Sequence, residues 1–169
     1  MPRMPDGASG LVLTAQGAGV DPAYAAGGGF ASKARAYVSA TSFTIADNTW
    51  TKVALDAETF DGLGEFDTTT SKFTAQAAGY YLIMGKTQCN GNSIDGQYVG
   101  VAIFLNAARY SEIYQLAAAA NKYVPVQFLD VIYLAANDYL ELYVWQTSGA
   151  DQAFSGSSVG TNLEVCRLS

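Results

Sequence analysis

The stretch from Leu55 to Ile83 constrains the fold more than any other part of this chain of 169 residues. Phe66 and Phe73 flank the turn-rich connection DTTTSK, and large apolar side chains alternate after Gly79. Successive side chains of a strand point to opposite faces, and glycine accepts backbone conformations that other residues resist. The stretch therefore predicts two extended segments that meet at a corner of an all-β core.

Apolar and polar residues alternate in many segments after residue 32, and this alternation predicts half-buried strands. These strands cover residues 33–40, 48–55, 79–89, 97–105, 110–116, 124–134, 139–145 and 162–168. Leu116 to Ala120 favour a helix, but five such residues are too few for an isolated one. Residues 146–161 are rich in glycine and serine and predict a long loop. With the pieces around the corner, about ten strands are expected.

Seven positions around the corner keep a fixed spacing, namely Leu55, Asp61, Phe66, Phe73, Gly79, Tyr81 and Ile83. This spacing resembles the signature of the C1q domain in the C1q/tumour-necrosis-factor (TNF) superfamily, with Leu55 and Ile83 in place of phenylalanine. Residues 134–144, LAANDYLELYV, are similar to that family's L-x-x-G-D-x-V-x-L-x-V strand pair, with Asn137 in place of glycine. The resemblance implies a ten-stranded jelly-roll sandwich that assembles as a homotrimer and performs no catalysis.

Residues 1–32 are rich in glycine, alanine and proline, and such a segment buries too little surface to fold alone. Their spaced glycines resemble a linker element of bacteriophage tail fibres and related virion proteins. The resemblance implies a short extended N-terminal arm that attaches a head, residues 33–169, to other virion proteins. A passive linker is the alternative. The predicted attachment residues are Leu11, Val12, Leu13, Pro22 and Tyr24, where Leu11 and Tyr24 stand in place of the element's glutamine and tryptophan.

Composition excludes several classes of function. The net charge of −6 argues against nucleic acid, because few cations are left to neutralise phosphates. The chain contains no histidine, which removes the most common general base and the most common zinc ligand. No glycine loop ends in the Gly-Lys-Ser/Thr of a phosphate-binding loop. We therefore expect a protein that is not an enzyme.

Carboxylate pairs are the remaining candidates for chemistry, as a glycosidase would need. They are Asp56 with Glu58, Asp61 with Glu65 and Asp67, and Asp138 with Glu141. We interpret Asp61 as a turn residue that bonds its own backbone, and the others as solvated carboxylates. Some heads of the C1q family bind calcium, but no DxDxDG run supports calcium here. No cofactor is expected, with Ca²⁺ as the weak alternative.

Location and redox state follow from what the sequence lacks. No apolar run reaches the ~18 residues of a membrane span. The first ten residues lack the apolar segment of a secretory signal. We therefore expect synthesis in a host cytoplasm and a final place in a virion, with an extracellular location as the alternative. Cys89 and Cys166 fall in predicted strands, where two buried thiols are favoured over a disulfide.

Two kinds of surface complete the hypothesis. Aromatic residues that alternate along strands are predicted to meet across a threefold axis, since tyrosine and tryptophan are favoured in interface cores. These residues are Tyr81, whose role the C1q resemblance implies, and Tyr139, Tyr143 and Trp145. Loops that vary without harming the core are predicted to face a ligand, through Asn92, Asp95, Asp151 and Phe154.

The sequence therefore predicts a trimeric recognition head on a bacteriophage or phage-like virion, where it decorates the particle, forms a head fibre or caps a tail fibre. It would contact a host-surface glycan or protein. The alternative is a secreted C1q-like module that binds glycans or proteins.

Overall fold

The computed structural model describes residues 11–14, 23–26, 32–90 and 95–168, and every helix-or-strand element in them is a β-strand. The first eight strands are β1 (Leu11–Thr14), β2 (Ala23–Ala26), β3 (Lys33–Tyr37), β4 (Ser42–Ile45), β5 (Thr51–Lys52), β6 (Ala57–Asp61), β7 (Phe66–Asp67) and β8 (Lys72–Thr74). The next seven are β9 (Gly79–Cys89), β10 (Tyr98–Leu105), β11 (Ala108–Leu116), β12 (Val124–Leu134), β13 (Tyr139–Gln146), β14 (Gln152–Ser155) and β15 (Asn162–Arg167).

The chain divides into two compact units, residues 1–31 and residues 32–169. In the first unit β1 and β2 form an antiparallel hairpin, with Leu11 opposite Ala26 and Thr14 opposite Ala23. Of the predicted attachment residues, Leu11, Val12 and Leu13 form β1 and Tyr24 lies in β2, whereas Pro22 lies outside the described residues. Their role in attachment stays a prediction.

The second unit, the head, is a sandwich of two antiparallel sheets. Sheet I has the order β4-β14-β9-β15-β3-β6, with β12 paired along the other side of β9. Sheet II has the order β11-β10-β13-β8-β7, with β5 paired to β13. The predicted all-β sandwich is confirmed. The strands exceed the expected ten because short pieces such as β4, β5, β7 and β14 were not separated in the sequence.

The core lies between the two sheets and is filled by alternate residues of the long strands. The alternation predicted for residues 97–105, 124–134 and 139–145 is confirmed, since the expected side chains are buried. They are Val99, Val101 and Ile103 on β10, Val124, Val126, Phe128, Ile132 and Leu134 on β12, and Leu140, Leu142 and Val144 on β13. β9 adds Ile83, and β15 adds Leu163 and Val165.

The head has two distinct ends. At one end, which we call the base, the Arg167 amide donates to the Ser32 carbonyl at 2.9 Å, and the Leu168 amide donates to the Tyr80 carbonyl at 2.7 Å. The opposite end, which we call the tip, carries the connections 117–123 and 147–151 together with residues 90 and 95–97, because β9, β11 and β13 all end there. Both terminal segments of the head therefore lie at the base.

Turn residues explain how the strands connect. Asn137 has a φ of 72°, in the left-handed region that asparagine tolerates in turns. The β10–β11 hairpin closes through Asn106 and Ala107, with φ values of 50° and 67°. Two positive φ values are typical of a two-residue type I′ turn, which favours Asn-Gly. Gly79 is not among the residues with positive φ, so the expectation that it adopts a backbone conformation that other residues resist is wrong. It instead begins β9, opposite Leu134.

Both cysteines are free, as expected. Cys89 is buried, whereas Cys166 is partly exposed and pairs with Leu82, seven positions away along β9. Seven residues of a strand span about 23 Å, far beyond the reach of a disulfide. The Cys89 thiol has a raised pKa because burial disfavours its thiolate.

Candidate subunit interface

The outer face of the β9–β12 pair exposes apolar side chains to solvent. The antiparallel register sets Tyr80 opposite Tyr133, Leu82 opposite Val131, and Met84 opposite Leu129, with all six on the side of sheet I away from the core. We call these six residues the apolar face. The exposed fraction is 54% for Tyr80, 66% for Leu129, 50% for Val131 and 57% for Tyr133. An apolar surface of this kind on a regular strand pair is a candidate interaction site.

The apolar face ends abruptly along the same two strands. Beyond Met84 and Leu129 the outward pairs become Lys86 with Gln127 and Gln88 with Pro125. The apolar half lies towards the base and the polar half lies towards the tip. Burying apolar surface away from water contributes a favourable free energy of about 25 cal/mol per Å², and polar surface gives no comparable gain. A partner of sheet I is therefore expected to cover the half of the face near the base.

A second exposed apolar region lies at the margin where β11 and β12 run side by side. β11 pairs only with β10, and β12 only with β9, among the strands that the structure describes. A groove between them is lined by Ile113 of β11 and by Phe128 and Leu129 of β12, together with Met84. Tyr110, Ile113 and Leu116 of β11 are 53%, 42% and 45% exposed. We call this margin the open edge, and unpaired edges of this kind favour contact with another chain.

The outer face of sheet II carries an aromatic layer that the chain packs against itself. Trp50 lies 6.1 Å from both Tyr114 and Trp145 between ring centroids, and Phe104 stacks on Tyr143 at 3.8 Å. Gly100 makes room for it: a Cβ there would lie 2.9 Å from Tyr114 and 3.2 Å from Trp50. Gly100 therefore admits aromatic rings from the same chain.

The predicted interface residues of β13 belong to this layer. Tyr139, Tyr143 and Trp145 are partly buried. The Lys72 ammonium lies 4.1 Å from the centre of the Tyr139 ring. Burial and the nearby charge of Glu141 raise the pKa of Tyr143. Their contact with another subunit stays a prediction, but most of their packing is already supplied within one chain.

The carboxylate of Glu141 fixes the same part of sheet II. Its Oε1 lies 2.5 Å from Nζ of Lys52 on β5 and 3.7 Å from Nζ of Lys72 on β8. The Glu141 side chain is 6% exposed, and a buried carboxylate of this kind needs such partners. The Lys52 ammonium also donates to the Thr70 carbonyl at 2.6 Å. These two ion pairs therefore tie β5 and β8 to β13.

The prediction that Tyr81 contacts another subunit is wrong, because its side chain is buried within one chain. Its exposed fraction is 0%, because odd-numbered residues of β9 face the core. Its hydroxyl donates to the Ala77 carbonyl at 2.7 Å, and its ring meets Phe73 edge-on with 5.9 Å between centroids. A ring enclosed within one chain has no surface left for a neighbour. The exposed aromatic residue beside it is Tyr80.

The predicted ligand-facing residues separate into three cases. Asp95 and Asp151 are exposed at the tip, while Asn92 lies outside the described residues. Phe154 was expected in a loop, but it belongs to β14, is fully buried and packs 6.0 Å from Phe43 between ring centroids. Its assignment to a ligand-facing loop is therefore wrong, because residues 152–155 pair with β4 in sheet I.

Among the other candidate carboxylates, Glu65 is 3% exposed, so the prediction of a solvated carboxylate is wrong for it as it is for Glu141. Asp61 accepts hydrogen bonds from the Phe66 and Leu63 amides at 2.7 and 3.3 Å, which confirms its predicted turn role. Hydrogen bonds from Ser39 lower the pKa of Asp56, and hydrogen bonds from Asn106 and the Ala135 amide lower the pKa of Asp138. Within the described ranges, no group of three or more Cys, Asp or Glu side chains is arranged to hold a metal ion. These ranges also contain no helix long and apolar enough to cross a membrane.

Comparison with known proteins establishes the fold class. No protein-family profile and no curated protein sequence matches the chain. Eiger TNF from S. frugiperda superposes with a TM-score of 0.64 at 12% identity, over 82% of this chain and 92% of that one. The globular domain of zebrafish complement 1qA gives 0.59 at 12% identity, over 82% and 97%. Murine APRIL at pH 5.0 gives 0.59 at 13% identity, over 80% and 99%. The head therefore has the C1q/TNF-like jelly-roll fold.

Proposed function

We propose that this C1q/TNF-like jelly roll is a non-enzymatic recognition head that works as a homotrimer. The observation that carries the proposal is the apolar face on β9 and β12, where four side chains are at least half exposed. The fold similarity to Eiger TNF and to complement 1qA supports a role in recognition.

The geometry of the exposed surfaces favours a closed ring. The apolar face and the open edge are different surfaces, so a contact that joins one to the other is heterologous and generates a ring when the rotation closes. They adjoin at β12, since Leu129 belongs to both. Two adjoining patches at the corner of a sandwich suit a ring of few subunits. A trimer satisfies this condition and agrees with the C1q resemblance of the sequence.

We further propose that the head is displayed on a bacteriophage or phage-like particle. This display is supported by the resemblance of residues 1–32 to a virion linker element. Residue 32 lies at the base of the head, whereas the exposed Asp95 and Asp151 lie at the tip. Asp95 and Asp151 are our candidates for contact with a host glycan or protein, and three heads would add avidity. The alternative is a secreted recognition module, which the similarity to the complement 1qA domain supports.

A matched pair of variants on one strand tests the trimer. Leu129→Lys places an ammonium in the apolar face, whereas Gln127→Lys places the same charge two residues away on the same side of β12. We expect Leu129→Lys to be monomeric in analytical ultracentrifugation at concentrations where the wild-type protein is trimeric. Gln127→Lys should remain trimeric. A trimeric Leu129→Lys variant would show that the interface lies elsewhere.

The place on a virion needs a separate measurement. Gold-labelled antibodies against the head should decorate intact particles in electron micrographs, and should lose the label when residues 1–31 are deleted from the gene. Particles that carry no label with the wild-type gene would refute display on a virion and leave the secreted module.

A further inference from the structure

We propose that the β1–β2 hairpins of three copies pair with one another and form a second assembly site in addition to the heads. The proposal rests on the proposed homotrimer. β1 and β2 contain four residues each, and among the described residues no third strand pairs with either. An isolated two-stranded hairpin is at best marginally stable in water, and three or more strands are usually needed. The hairpin therefore needs strands from outside itself.

The two strands also lack the features that protect a sheet edge. Native proteins block open edges with charged residues, especially lysine, or with proline. The sequences of β1 and β2, LVLT and AYAA, contain no charged residue and no proline. Each hairpin offers one free edge of β1 and one free edge of β2, so β1 of one copy can pair with β2 of the next. Such a contact is heterologous and closes around a threefold axis.

The chain connection places the three hairpins within reach of one another. Residue 32 lies at the base, where the Ser32 carbonyl accepts from the Arg167 amide and the neighbouring Leu168 amide donates to Tyr80. Tyr80 belongs to the apolar face, so the three arms start beside the proposed subunit contact. Five residues separate Ala26 from Ser32, a tether of about 20 Å when fully extended. A short tether gives the hairpins a high effective concentration for one another.

Hydrogen exchange of the full-length protein tests the pairing. The amides of residues 11–14 and 23–26 should exchange at least tenfold more slowly in the wild-type trimer and in Gln127→Lys than in monomeric Leu129→Lys. Equal protection in the monomer would overturn the proposal, because the hairpin would then be covered by its own chain. Absence of protection in the wild-type trimer would also overturn it, and would favour pairing with another virion protein or a passive linker.

A variant in the hairpin separates this proposal from the head interface. Val12→Pro removes a strand amide, whereas Val12→Thr keeps a β-branched residue and serves as the control. We expect Val12→Pro to raise the trimer dissociation constant at least tenfold in analytical ultracentrifugation, with little change for Val12→Thr. An unchanged constant and unchanged protection in Val12→Pro would refute hairpin pairing and leave the head interface intact. If Leu129→Lys stays trimeric and only the double variant with Val12→Pro dissociates, the hairpins hold the trimer and the head interface fails.

Discussion

Replacing Gly85 by alanine is expected to destabilise the head by about 1–2 kcal/mol. Gly85 lies on the core side of β9, directly opposite Phe128 of β12. A Cβ at this position would lie 2.3 Å from Cε1 of Phe128, 2.8 Å from its Cζ, and 2.9 Å from Cδ1 of Leu142 on sheet II. Carbon atoms in contact are about 3.5–4.0 Å apart, so the ring must move by about 1 Å or more.

Two opposing effects set the size of this change. Alanine has fewer unfolded conformations than glycine, which favours folding by about 0.4–1 kcal/mol. An extra methyl group in a packed core costs about 1–3 kcal/mol, because neighbours are forced from their preferred rotamers. Phe128 is only 8% exposed and Leu142 is fully buried, so the ring has little room to turn away. The packing cost is therefore expected to be the larger effect.

Urea unfolding followed by tryptophan fluorescence measures this change. Wild-type and variant proteins must be compared at one concentration, because the stability of an oligomer depends on it. Combining Gly85→Ala with Phe128→Leu should cost less than the sum of the two single changes, since the smaller side chain makes room for the methyl group. A Gly85→Ala protein that unfolds at the same or a higher urea concentration than the wild type would refute the reasoning.

Three further changes test other parts of the structure. Tyr81→Phe should lower the free energy of unfolding in urea by about 1–1.5 kcal/mol, because it leaves the Ala77 carbonyl unpaired. The variant should keep the mass of the trimer, and loss of the trimer would support the predicted contact of Tyr81 with another subunit. Ala107→Gly should gain about 0.5–1 kcal/mol, because glycine accepts its φ of 67°, and a lower melting temperature would contradict the type I′ turn. Asp138→Asn should lower stability at pH 7 and not at pH 2. Hydrogen bonds from Asn106 and the Ala135 amide depress the pKa of Asp138 in the folded protein. The stability that the Asp138 carboxylate contributes is therefore present above its unfolded pKa of about 3.9 and is lost as the pH falls through its folded pKa. An equal loss of stability at both pH values would refute this.

Alternation along the strands made much of the fold predictable. It identified the buried residues of β10, β12, β13 and β15 because most core-side positions of these strands, which are every second residue, carry apolar side chains. It failed for residues 152–155, where glycines and serines on both sides suggested a loop and concealed Phe154 in the core. It also missed the role of Trp50, since no local pattern shows that its ring crosses β10 above Gly100.

The candidate interface was predictable only in kind. Both faces of β9 are apolar, with Tyr81 and Ile83 on one side and Tyr80, Leu82 and Met84 on the other. A period of two therefore predicts a strand that is covered on both sides, and the sequence by itself determined that much. Only the tertiary structure decided which side is covered by sheet II, because that depends on how β12 and β15 pair with β9 and on where β10 and β13 pack. Tyr81 thereby became a core residue, and Tyr80 became part of the surface that a second chain is proposed to cover.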